Sequence, residues 1–162
     1  MFDLARNGDA VLLEYLKGGL PPNLTNNRGD TLLMLAAYHG HTALVKGMLT
    51  EVPRPSDPNQ LNGRGQSIVA GAVFKGYDEV VKVLIEGGAD PLAGQPNAEE
   101  TAAMFNKLDG ENGFKALFEN AAGRQRGARE AEPAVEDREQ VRRMLVHSDS
   151  APSAAGASAA PR

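Results

Sequence analysis

His39 and His41 stand two positions apart and are the first residues of this 162-residue chain whose types could do chemistry. Two imidazoles can begin a metal site, but a closed or catalytic site needs at least three protein donors. No carboxylate or third histidine stands at a ligating spacing from them, and the chain has no cysteine. Both flank Gly40, where a helix must stop, so their side chains are expected to diverge. Asp78–Glu79, Glu99–Glu100 and Glu136–Asp137 have the composition of an acid–base couple. Each falls on a predicted turn or helix start, where carboxylates complement the helix dipole. No serine shares a triad frame with a histidine and an aspartate, and Gly63-Arg64-Gly65 is a weak match to a phosphate loop that the repeat set out below already explains. These residues predict neither an enzyme nor a cofactor.

What remains is recognition chemistry. Tyr38 and Phe74 are 36 positions apart, and so are Arg28 and Arg64. Tyrosine and arginine are enriched where binding energy concentrates. An aromatic repeated at a slot expected to face solvent costs solubility and asks for a reason. The two rings either form a row of anchors flanked by arginines or pack on each other and the neighbouring turn, closing the groove. The candidate partner-binding set is Asn27, Arg28, Asp30, Arg64 and Gln66 on turn tips, with Tyr38, His39, Phe74 and Lys75 on helices. Leu108-Asp109 is the expected counterpart of Tyr38-His39 in a last unit.

The elements that position these residues repeat. Thr31 returns as Ser67, Gly29 as Gly65 and Gly40 as Gly76, each 36 positions on. Self-similarity at that period predicts stacked helical units rather than one globular core. Each unit reads as a helix-turn-helix followed by an extended turn. Gly40 and Gly76 fall where the first helix ends, because glycine accepts the left-handed backbone a C-cap needs. Gly8 and Gly110 fit that slot in a first and a last unit, and Thr31, Ser67 and Thr101 are expected helix N-caps. Recurring apolar positions are predicted core: Leu33 and Val69, Ala36 and Ala72, Val45 and Val81, Leu49 and Ile85. The expected architecture is all-α, a solenoid of about four units with the outer two degenerate. Between the second and third units, 51–60 carries Pro53, Pro55 and Pro58, which stiffen an extended path and disfavour helix.

This frame resembles the ankyrin repeat. Asn26, Gly29, Thr31, Leu33, Ala36, Ala37, Gly40 and His41 match its pattern in one unit. Asn62, Gly65, Ser67, Val69, Ala72 and Gly76 match it in the next, and Gly88-Ala89-Asp90-Pro91 supplies the ending. The resemblance covers about 1–122. It implies a protein-binding module whose turn tips and first helices form the groove where partners sit. Two departures stand out. The family's proline is Leu32, Ile68 and Ala102 here, and its histidine is Met34, Ala70 and Met104. The histidine's hydrogen-bonded tie is therefore expected to be missing and the stack somewhat less rigid.

Composition bounds the rest. A net charge of −4 argues against nucleic acid as a partner. No apolar run approaches the roughly 18 residues that span a bilayer, and the N-terminus does not read as a secretory leader. The expectation is a monomer of the cytoplasm, or of the nucleus as well, that binds another protein. From 123 to 162 the sequence turns to Arg, Glu, Ala, Ser, Gly and Pro, and reads as a low-complexity, mostly disordered tail. Within it, 134–146 could form a short helix on Val141, Met144 and Leu145. The rival reading is a regulatory or adaptor subunit whose tail carries the activity.

Overall fold

The computed structural model of the chain describes residues 1–124; of the expected tail it describes only Gly123, which is buried, and Arg124, which is half-buried, and the expected helix at 134–146 lies outside the described residues. Among the described residues eight helices follow one another as four antiparallel pairs. These are α1 (Phe2–Asn7) with α2 (Val11–Lys17), α3 (Leu32–Tyr38) with α4 (Thr42–Thr50), α5 (Ile68–Lys75) with α6 (Asp78–Glu86), and α7 (Ala98–Met104) with α8 (Lys115–Glu119). The first helices stack in the order α1, α3, α5, α7, and the second helices in the order α2, α4, α6, α8. The result is a two-layered helical solenoid. Among the described residues the extended pairing is an isolated bridge between Thr25 and Thr31.

Each unit is too thin to bury its own apolar face, so the neighbours bury it. Leu33, Val69, Ala36, Ala72, Val45, Val81, Leu49 and Ile85 are all buried, as is Ala37. Capping fixes where the first helices begin. The Thr31 hydroxyl accepts the Met34 N–H at 3.1 Å, and the Ser67 hydroxyl accepts the Ala70 N–H at 3.1 Å. Such caps are worth about 1 kcal/mol each. One expected gap is filled. In the slot of the family's histidine, the Met34 sulfur accepts the Thr31 N–H at 3.2 Å. Thioether sulfur is a weak acceptor, but it leaves that buried donor paired. Ala70 has nothing to offer there.

The last unit departs from the predicted register. Its N-cap is Asn97 rather than Thr101: the Asn97 side chain accepts the Glu100 N–H at 2.8 Å, and Glu100 accepts the Asn97 N–H at 3.0 Å. Thr101 lies inside α7, where its hydroxyl donates to the Asn97 carbonyl at 2.8 Å. The left-handed residue ending the helix is Asn106, φ 56°, rather than Gly110. Gly40, Gly76 and Asn106 each follow their N-cap by nine positions. The reason is loop length. The frame moves 36 positions from Thr31 to Ser67 but 30 from Ser67 to Asn97, because α6 and α7 are joined without the proline segment that separates α4 from α5. Met104, not Leu108, therefore holds the slot of Tyr38 and Phe74, and Phe105, not Asp109, that of His39 and Lys75.

The segment 51–60 is non-helical as expected, but it bends at 51–54 and turns at 58–59 rather than running extended, and it is more than a spacer. Val52 and Ser56 are buried. Arg54 donates to the Gly19 carbonyl at 3.0 Å, and the Asp57 N–H donates to the Asn23 side chain at 2.8 Å, both at the end of the first unit. Asn59 donates to the Gly88 carbonyl at 3.1 Å and accepts the Asp90 N–H at 2.7 Å, at the end of the third. At the far end of the described residues, Arg124 pairs with Glu99 at 2.6 Å.

Candidate functional site

The turn tips are built by asparagine. The Asn26 side-chain oxygen accepts the Arg28 and Asp30 N–H groups at 2.9 and 3.0 Å, and Asn62 accepts those of Arg64 and Gln66 at 2.9 and 3.0 Å. Short Asn side chains do this because they mimic a backbone turn. The Gly63 N–H then donates to the Arg28 carbonyl at 3.0 Å, joining one tip to the next. Asn62 also donates to Asp30 at 3.3 Å and to Gln66 at 2.9 Å. Asp30 and Gln66 are thus partly spent on architecture, while Asn27, Arg28 and Arg64 are exposed.

The helix ends differ sharply. Phe74 is 63% exposed and meets the Phe105 ring edge-on at 5.6 Å. Tyr38 is half-buried: its ring packs against Gly71, where an added Cβ would fall 2.2 Å from the Tyr38 ring. Its hydroxyl reaches the Ser67 carbonyl at 3.5 Å, the long limit of a hydrogen bond. Burial, with the nearby charge of Asp30, pushes the Tyr38 hydroxyl up to about 12 from its usual 10, so it keeps its proton at physiological pH. The expectation of two equally exposed aromatics is corrected for Tyr38. Tyr38 and Phe74 do border one groove, but the Tyr38 ring packs on Gly71 of α5, whereas Phe74 touches Phe105 just past α7 and stays largely in solvent.

His39 and His41 do not diverge. Their rings are parallel, 6.4 Å between centroids. His39 Nδ1 faces the Leu35 carbonyl at 2.9 Å and His41 Nε2 the Arg6 carbonyl at 2.6 Å, so each donates a proton to backbone. His41 packs on Gly8, Tyr77 in the equivalent slot packs on Gly40, and Lys107 in the next approaches Gly76. No trio of metal-capable side chains gathers among the described residues. The acidic pairs sit in the first turns of α6 and α7. Asp78 pairs with Lys107 at 3.1 Å, Glu79 with Lys82 at 3.5 Å, Glu99 with Arg124, and Glu100 caps α7. Glu136–Asp137 lies outside the described residues.

The first helices and turn tips enclose two adjoining concavities. One is apolar, about 340 Å³, between α3, α5 and α7; Tyr38, Ala70, Phe74, Pro96 and Met104 line it, with Gln66 and Lys75 at its edge. The other is polar and lies between α1, the first turn tip and α3. It gathers Asn27, Arg28, Asp30, Tyr38, His39 and Lys75 from the candidate set and adds Phe2, Arg6 and Leu35. Tyr38 and Lys75 border both, and Arg64 lines neither. Sequence reasoning missed Met104 because it projected the last unit too late. The signal was there: Met104 follows the N-cap asparagine by seven positions, as Tyr38 follows Thr31 and Phe74 follows Ser67.

A stack of paired helices with capped first helices and a concave face defines a helical-repeat interaction module. Residues 1–95 match a family model of ankyrin repeats in three copies. The chain belongs to the ankyrin repeat family, which is in general non-enzymatic. An ankyrin repeat protein of Pseudomonas aeruginosa is 60% identical over 47 residues, covering 28% of this chain and 28% of that protein. No helix among the described residues is long and apolar enough to cross a membrane.

Proposed function

We propose that the chain is a non-catalytic binding module that grips a partner protein on the concave face formed by α3, α5, α7 and the turn tips. One observation carries this reading. Equivalent slots on α5 and α7 hold large apolar side chains that are left in solvent, Phe74 at 63% and Met104 at 65% exposure, with Phe105 at 45% beside them. Contiguous apolar surface beside a concavity is what a docking site needs and what an isolated chain otherwise avoids. Candidate residues Phe74, Lys75 and Gln66 line the apolar groove, and Arg28, Asn27 and His39 its polar neighbour. Arg64 and Asp30 act on the turn tips, Arg64 by orienting polar groups and Asp30 chiefly by holding Asn62. A monomer in the cytoplasm completes the proposal.

The deciding variant is Phe74→Ala with Met104→Ala, measured against a partner recovered by crosslinking and then purified. Loss of about 2 kcal/mol or more of affinity in a normally folded double variant is expected. Unchanged affinity would remove the groove and move binding elsewhere. A chain ended after Arg124 separates this reading from one in which the tail carries the activity, because a groove binder keeps its partner. The cut belongs there rather than at 122: Gly123 is buried and Arg124 holds Glu99.

A further inference from the structure

We infer that the polar concavity is a carboxylate pocket, so that the module selects partner segments in which an Asp or Glu stands within a few residues of an apolar anchor. This rests on the concave-face reading above and adds the chemistry of the segment. Four side chains that carry or can carry positive charge line that concavity: Arg6, Arg28, His39 and Lys75. Arg6 is already paired with Asp3 at 2.8 Å, and His39 donates to the Leu35 carbonyl. Arg28 and Lys75 enter no ion pair among the described residues. Facing them, the one carboxylate in the lining is Asp30, already hydrogen-bonded by Asn62. Two free cations against one partly satisfied carboxylate leave a single positive charge to be met. A monoanion meets it; a phosphate dianion would stand over Asp30 and exceed it. Arg28 supplies the planar fork that suits a carboxylate, and Lys75 a point charge on a flexible stem.

The two concavities share the Tyr38 ring and the Lys75 side chain as a common wall. A ligand that places an apolar side chain against Phe74 and Met104 therefore brings its neighbouring residues past Lys75 towards Arg28. The whole chain carries a net charge of −4. Long-range attraction of polyanions is weak under such a balance, and the pocket acts at short range, once the anchor is seated.

The probe is a library of random linear peptides displayed on phage and selected on the folded full-length chain. One selected sequence is then made as a fluorescein-labelled peptide for anisotropy titration. Enriched sequences should carry Asp or Glu within a few residues of Leu, Met, Ile or Phe. Replacing that Glu by Gln in the labelled peptide should weaken binding about tenfold, the scale of a charge-assisted hydrogen bond. The Arg28→Gln, Lys75→Gln double variant should lose the same factor for the acidic peptide and bind the Gln peptide as the parent does. Phe74→Ala should weaken both peptides. Enrichment of apolar sequences without an acid, with Arg28 and Lys75 indifferent, would overturn the carboxylate pocket and leave the groove standing. Tighter binding of a phosphoserine peptide than of its Glu counterpart would overturn the choice of a monoanion. Failure to enrich any peptide would overturn the groove and the pocket together.

Discussion

Tyr38 and Phe74 occupy the same position in consecutive units, both aromatic, both at the end of a first helix, yet one is a wedge and the other is left in solvent. The cause lies on the next helix of the stack. Tyr38 faces Gly71, and the absence of a side chain there lets the ring lie on the α5 backbone. The corresponding position facing Phe74 is Thr101, which carries a β-branched side chain bonded to the Asn97 carbonyl and offers no such gap. Its ring swings out to Phe105 instead. A position's role in a repeat array is thus set by the unit that follows it as much as by its own residue.

The largest expected effect breaks the equivalence outright. Tyr38→Ala should lower stability by about 2 kcal/mol, because it empties a half-buried space between α3 and α5. Phe74→Ala should change it by less than about 0.5 kcal/mol, as an exposed substitution does. Urea midpoints of the two variants, each against the parent, measure the contrast, and equal losses would erase it. Gly71→Ala sharpens it with a change of sign. Alanine in a helix interior is better than glycine by about 0.5–1 kcal/mol, but here the new methyl displaces the Tyr38 ring. The substitution should destabilise the parent by about 1 kcal/mol and stabilise the Tyr38→Ala background. A double-mutant cycle reads the coupling, and additivity would show that the ring and Gly71 do not touch.

The smallest effect is a pH dependence. The folded-state pKa of Tyr38, about 12, lies above its usual 10, so folding favours the protonated form. That contribution is complete below pH 10 and declines as pH rises from 10 through 12. Tyr38→Phe has no such proton to lose. It should match the parent to about 0.5 kcal/mol at neutral pH, since the hydroxyl bond is long, and lose less stability on passing from pH 10 towards 12. Parallel declines across that window would place the alkaline sensitivity elsewhere.

The central units were legible in the sequence because their identity is periodic. Thr31 and Ser67 cap, Gly40 and Gly76 stop, and Leu33, Ala36, Val45 and Leu49 with their counterparts are buried, all from matched positions. The last unit was legible in kind but not in register. A threonine at 101 looked like a cap, whereas cap function depends on where the chain enters the helix, and a shorter loop brings that point to Asn97. The difference between Tyr38 and Phe74 was not legible from their own spacing. It depends on Gly71 and Thr101, which can be matched only after the last unit has been placed. The parallel histidines were missed because Gly40 was expected to turn them apart, whereas each ring is held by a backbone carbonyl.

The proline segment 51–60 sets how the stack comes apart. By bonding to the ends of the first and third units, 51–60 works as a strap across three units, so opening either junction beside the second unit tears polar ties as well as apolar contact. Among the described residues the polar ties of the fourth unit to the third are fewer: beside helix packing they are the Lys107–Asp78 pair and the Gln95 N–H donating to the Gly65 carbonyl at 3.1 Å, while Arg124–Glu99 lies within the fourth unit. Under load, or in the first stage of melting, the array should part between its third and fourth units. That seam runs through the apolar groove between Phe74 and Met104, so parting there would open the proposed binding surface.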